Sequence, residues 1–276
     1  MRFMNHAKTA LLLGAMLALC MLVGHFIGGP QGVLMGLLIG GLGNIIAFYF
    51  SDKIAVAAMG GVPVTRAEAP ELVDMVERLA QRAGLPMPRV YVCPQEAPNA
   101  FATGRNPANA AVAVSDGMMR NFPAREIEGV MAHELAHIRH RDVLVSTIAS
   151  VMAGMISYAG YMLLWFGGGR NSRDNPLGAI GMIVMIVLAP LAAALIQAAV
   201  SRQREFAADS YGGELCGDPN KLADALGRLQ SLNERVPTTV NPAFNSMFIM
   251  EPLSGGGIGS LFATHPPTAK RIAALR

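Results

Sequence analysis

From Thr9 to Ser51 the chain carries no Asp, Glu, Lys or Arg, and His25 is the one basic side chain in the run. A bilayer core of roughly 30 Å needs about 20 apolar residues of helix, so a run this long holds two spans. Gly28, Gly29, Pro30, Gln31 and Gly32 supply a turn between them. The expectation is a helical hairpin over about 10–28 and about 32–50. Two further uncharged runs, Val143 to Gly169 and Asn175 to Ser201, flank a polar loop with Arg170, Arg173 and Asp174 and predict a second hairpin. Pro190 kinks the fourth span locally, and neighbouring helices can satisfy the freed carbonyl. A composition of 52% hydrophobic and 15% charged residues is low in charge for a soluble protein.

Arg2, Lys8, Lys53, Arg139, Arg141, Arg202 and Arg204 flank the spans on one side. By the positive-inside rule this side is cytoplasmic, although Arg170 and Arg173 in an outer loop run against it. The first span has the basic start of a signal peptide, yet the apolar sequence resumes at once, so retention is expected. A lipoprotein reading at Cys20 fails because Leu19 is not small. Cys20, Cys93 and Cys216 match no metal or disulfide spacing and are expected as free buried thiols. A net charge of +3 gives no basic field for nucleic acid.

Four segments follow: a hairpin over 1–51, a first cytosolic part over 52–142, a second hairpin over 143–201 and a second cytosolic part over 202–276. In the first cytosolic part, Leu72, Met75, Val76 and Leu79 predict an amphipathic helix over Ala69 to Gly84. Strands are expected at Arg89 to Cys93, Ala100 to Thr103 and Ala110 to Ser115, and Pro123 opens the next helix. In the second, helices are expected near 202–215, 219–233 and 267–275.

His133-Glu134-Leu135-Ala136-His137 fits HExxH on that helix. Positions i and i+4 share a helix face, so two imidazoles converge on one ion while Glu134 reaches the water beside it. A catalytic zinc site takes three protein ligands and keeps one position open. His140, seven residues from His133, lies about 10 Å along the axis and is too far to share the ion. Glu205 is the better third ligand, because an antiparallel hairpin over spans three and four returns it to the membrane face that His137 leaves. Asp209, at i+4 from Glu205, is placed to accept a ligand histidine's free ring N–H. The set suits several first-row metals, with one Zn2+ per chain expected.

These residues resemble the HtpX-type membrane zinc metallopeptidases, relatives of the CAAX prenyl endopeptidases in the gluzincin group. The likeness rests on Asn99-Ala100-Phe101-Ala102-Thr103-Gly104, the His133 to His137 helix, Ser201 to Asp209, and Thr264-His265-Pro266-Pro267 with Arg271-Ile272. The resemblance implies that His133, His137 and Glu205 bind zinc, that Glu134 is catalytic and that His265 lies near the substrate. His265 would either donate to the developing oxyanion or cap a turn before Pro266. Either the strand at Ala100 to Thr103 or its partner at 110–115 pairs with an extended substrate at Asn99, Ala100, Phe101 and Ala102, or the two form an ordinary core hairpin.

The expected fold is mainly α: four transmembrane helices in two hairpins and a cytosolic α+β zincin-like domain with a small sheet. The expected function is zinc-dependent endopeptidase, with quality control of misfolded or damaged membrane proteins and stress response taken from the resemblance. Location in a bacterial inner membrane with both termini cytoplasmic is expected, with polypeptides and the bilayer as partners. Gly36 to Gly40 matches GxxxG, which serves either intramolecular packing or a homo-oligomer. His25 is expected at the outer interface rather than in a relay. A zinc-binding sensor would place ionisable ligands within the spans, and a silent scaffold would not need Glu134.

Overall fold

The computed structural model describes residues 2–152, 155, 202–233, 247–249 and 266–276. Helix α1 (Arg2–Ala58) is two apolar arms broken at Gly28 and Gly29, where Gly29 takes φ 58°. Only a residue without Cβ adopts that conformation at little cost, and Pro30 then opens the second arm where its missing N–H is unneeded. The arms Ala7–His25 and Gly28–Ala58 are each long and apolar enough to cross a membrane. They touch through glycine: a Cβ on Gly32 would lie 1.9 Å from the Gly24 oxygen, and one on Gly36 would lie 2.3 Å from the Cys20 oxygen. The GxxxG stretch therefore serves packing within the hairpin. Asn44 Nδ2 adds a hydrogen bond to the Leu13 carbonyl at 2.9 Å.

The second arm continues two turns past the expected end at residue 50. Ser51 and Asp52 turn into protein rather than solvent, and Asp52 pairs with Arg89. Of the expected second hairpin, the described part begins with an apolar helix, α5 (Val143–Met152). The rest of spans three and four lies outside the described residues.

Four strands, β1 (Val62–Pro63), β2 (Arg89–Cys93), β3 (Ala100–Gly104) and β4 (Ala110–Ser115), form one sheet in the order β1-β2-β4-β3. β2 and β4 are parallel, and β3 and β4 are antiparallel with Ala102 opposite Val112. β4 is buried along its whole length. Both edges of β4 are taken by β2 and β3, so residues 110–115 offer no edge to a further chain.

Successive side chains alternate between two cores. Ala100, Ala102, Val112 and Val114 face a helical layer of α2 (Pro70–Ala83), α4 (Ala124–His140), α6 (Arg202–Cys216) and α7 (Pro219–Asn233). Phe101 and Ala113 face a second core shared with Leu12 and Met16 of the first arm and Ile148 and Met152 of α5. Thr103 and Thr147 hydroxyls share a buried hydrogen bond of 3.1 Å that ties β3 to α5. The short α3 (Asp116–Asn121) follows β4, with Ser115 Oγ accepting from Met118 N–H. The C-terminal α8 (Thr268–Leu275) packs on α6 and α7. Helix α4 lies at the centre of this layer, against α2, α6, α7 and β3.

Candidate active site

Ile127, Val130, Met131, Leu135 and Ile138 bury one side of α4, which fixes its rotation and turns the His133 and His137 face towards α6. Gly212 lets α6 come close, since a Cβ there would lie 2.9 Å from His133 N and 3.0 Å from His133 Cα. The two histidine rings meet edge to face with centroids 4.7 Å apart, and their Nε2 atoms are separated by 3.2 Å. Glu205, in the first turn of α6, places Oε2 3.8 Å from His133 Nε2 and Oε1 3.5 Å from His137 Nε2. Ligand atoms bound tetrahedrally to zinc at their usual bond lengths lie about 3.3–3.6 Å apart. At 3.2, 3.5 and 3.8 Å the three side chains lie within a few tenths of an ångström of this spacing, so the donor set fits such an ion.

Each histidine is held from behind. His133 Nδ1 faces Asp209 Oδ1 at 3.0 Å, and His137 Nδ1 faces Asp142 Oδ2 at 3.5 Å. This leaves both Nε2 atoms for a metal. Asp142 reaches its position through a left-handed residue: Arg141 has φ 59°, and the Asp142 N–H returns to the His137 carbonyl at 3.1 Å. Left-handed backbone in a residue other than glycine is uncommon, and here it ends α4 and turns Asp142 back onto His137.

Arg271 of α8 is almost wholly buried and closes the network. Its Nε and Nη2 donate to the two Asp209 oxygens at 2.8 and 2.7 Å, and its Nη1 donates to the Ile249 carbonyl at 3.1 Å. Burial alone would raise the Asp209 pKa, but hydrogen bonds from Arg271 and His133 outweigh it and hold the group at about 2. Burial likewise disfavours the His137 cation, yet Glu205, Asp142 and Glu134 together raise its pKa to about 9. Glu134 is pushed up by burial and by Glu205, against the pull of both histidines and a hydrogen bond from the Ala102 backbone. A carboxylate raised towards neutrality beside a metal-ligand set is suited to take a proton and return it.

Glu134 and the ligand set face a cleft of about 60 Å³ whose apolar walls are Phe101, Val143, Met247, Phe248 and Ile249. Of the residues expected at the substrate, Ala102 stands at the cleft and Phe101 lines it, with its side chain rooted in the membrane-side core. Asn99 is buried, and its Oδ1 accepts the Ile249 N–H at 3.2 Å. His265 lies outside the described residues. The His140 ring lies against Tyr211, 5.6 Å between centroids, and Cys20, Cys93 and Cys216 are all free.

Sequence reasoning missed Asp142, the inward turn of Arg271 and the wall at Met247 to Ile249. Arg271 carried a signal only as part of the pattern begun by Thr264 and His265. Asp142 carried none, because a polar residue just past a helix end is ordinary.

The sequence profile described as peptidase family M48 matches residues 66–276. The Protease HtpX homolog of Desulfatibacillum aliphaticivorans is 46% identical over 98% of this chain and 89% of its own length. That of Nostoc punctiforme is 47% identical over 98% of this chain and 95% of its own. That of Methylibium petroleiphilum is 47% identical over 98% and 96%. The crystal structure of S. mikatae Ste24p shares the fold with a TM-score of 0.52 at 21% identity, covering 99% of this chain and 66% of that one. Histidines and a glutamate at metal-ligand spacing thus occur in a chain that follows the HtpX homologues nearly end to end, and it belongs to peptidase family M48.

Proposed function

We propose that the chain is a membrane-anchored zinc endopeptidase in which His133, His137 and Glu205 hold the ion and Glu134 is the catalytic acid and base. The observation that carries this reading is Glu134, buried and raised in pKa, in the same cleft as three donors at metal-ligand spacing. A bound zinc would supply a Lewis acid and lower the pKa of water towards neutrality. Glu134 accepts the proton of the attacking water and later delivers it to the leaving amine. Asp209 and Asp142 hold the histidine ring nitrogens that face away from the ion, which fixes tautomer and orientation. The edge of β3 aligns an extended substrate by backbone hydrogen bonds. The role near the substrate for His265 rests on resemblance alone.

In this reading the chain is divided at 1–51, 52–142, 143–201 and 202–276, spans three and four complete the membrane part, and the catalytic parts and both termini are cytoplasmic at a bacterial inner membrane. Clearance of misfolded or damaged membrane proteins follows from the family likeness. The test is cleavage of casein by detergent-purified protein, followed by chelation and restoration with zinc. Hydrolysis lost on chelation and regained with about one zinc per chain supports the reading. Hydrolysis indifferent to chelation contradicts it.

A further inference from the structure

Each of the two paired histidines has a carboxylate behind it, and behind each carboxylate stands an arginine. For His133 these are Asp209 and then Arg271, with contacts of 3.0, 2.8 and 2.7 Å. For His137 they are Asp142 and then Arg204. Asp142 Oδ2 lies 3.5 Å from His137 Nδ1, and Asp142 Oδ1 lies 3.6 Å from Arg204 Nη1. These are ion-pair distances, longer than a hydrogen bond. The carboxylate is therefore oriented by charge, with one oxygen towards each partner.

By sequence Arg204 stands with Arg202 among the cations that flank a membrane span. Their surroundings differ. Arg202 is exposed, whereas the Arg204 side chain keeps 13% of its surface exposed and turns onto a carboxylate that keeps 4%. Asp142 lies between the end of α4 and the first turn of α5, where a helix N-terminus favours negative charge. Lys8 of the first membrane arm adds its charge to the same pair. Arg204 reaches the carboxylate from the first turn of α6, the turn that also carries Glu205.

We infer that Arg204 is a positioning residue for the metal site: it fixes the Asp142 carboxylate against His137 Nδ1 and so aims His137 Nε2 at the ion. This rests on the reading above that His133, His137 and Glu205 hold a metal. Because Arg204 and Glu205 are neighbours on α6, one turn of helix supplies one ligand and sets the direction of another. The sign of the effect on binding separates this role from plain electrostatics. A cation beside a metal ligand repels a divalent ion, so by Coulomb's law alone its removal strengthens binding. Removal of a positioning cation frees the carboxylate to turn from His137, and binding weakens.

The experiment measures zinc affinity of the full-length protein in detergent by competition with a fluorescent chelator. The visible absorption of the cobalt(II) form is recorded beside it, because those bands report ligand geometry. Zinc affinity is expected to fall about tenfold in Asp142→Asn and about fivefold in Arg204→Gln, with the cobalt bands shifted in both. Added to Asp142→Asn, Arg204→Gln is expected to cost less than about twofold more, since residues that act through one another are not additive. Arg202→Gln should match wild type in both measurements. Should Arg204→Gln fail to fold, Arg204→Lys carries the same test, with a loss of about threefold that vanishes in the Asp142→Asn background. Unchanged or tighter zinc binding in the Arg204 variants, an equal loss with and without Asp142, or the same loss in Arg202→Gln overturns the inference and leaves the zinc reading standing. A wild type that binds no zinc overturns the peptidase reading and the inference with it.

Discussion

The guanidinium of Arg271 grips both carboxylate oxygens of Asp209, at 2.8 and 2.7 Å, while Asp209 faces the Nδ1 of His133 at 3.0 Å. The last helix of the chain thereby fixes the first metal-ligand candidate. Arg271→Ala would leave a buried carboxylate without its cation, which costs about 3–5 kcal/mol. Arg271→Lys supplies charge without the two-pronged geometry and should fall between the variant and wild type. Thermal unfolding with and without added zinc measures both. A destabilisation below about 1 kcal/mol would contradict the buried pairing.

Asp209→Asn tests the same link from the metal side. A neutral amide weakens the hold on His133, and zinc affinity should fall by about 10–100-fold with the protein still folded. Competition with a fluorescent chelator reads this directly. The sign of the acid response follows from the Asp209 pKa of about 2, below the ordinary value of 3.8. The stability it contributes is full above about pH 4 and is lost as the pH falls towards 2.

Much of this arrangement was legible in the sequence because it depends on local spacing. The i and i+4 histidines had to share a face of α4, and the expected strands and the helices near 202–215, 219–233 and 267–275 match the observed elements to within a residue or two. Asp209 could be placed beside one of the paired histidines because it shares a helix face with Glu205. Arg271 could not, since an exposed C-terminal helix and one that buries its arginine read alike. The extension of α1 to Ala58 was hidden for a similar reason: Asp52 and Lys53 look like the end of an apolar run, and only the partner Arg89 from a distant strand explains how the helix continues.

Gly212→Ala should separate α6 from α4. Its Cβ would meet His133 backbone at 2.9 and 3.0 Å, and backbone cannot yield as a flexible side chain does. A loss of about 1–3 kcal/mol is expected, together with weaker zinc binding, because the shift carries Glu205 on the same helix. Gly43→Ala, where nothing lies within 4 Å, serves as the control and should change neither property. Equal behaviour of the two variants would show that close helix contact is not what sets the ligand spacing.

In the proposed site a proton and the metal compete for His137. Its pKa of about 9 means that the ring is protonated across most of the neutral range, so zinc must displace a proton there. Apparent zinc affinity should therefore rise about tenfold per pH unit from pH 6 to 8 and level off above about 9. Affinity independent of pH over that window would contradict the raised value.

The most direct test of the central claim is Glu134→Gln, compared with wild type for casein cleavage and for bound zinc. The substitution keeps the size of the side chain and removes the group that takes the proton. Cleavage should fall by about 10²–10⁴-fold while both proteins hold about one zinc per chain. Equal cleavage by the two, with zinc bound in each, would show that Glu134 is not the base and that the catalytic assignment is wrong.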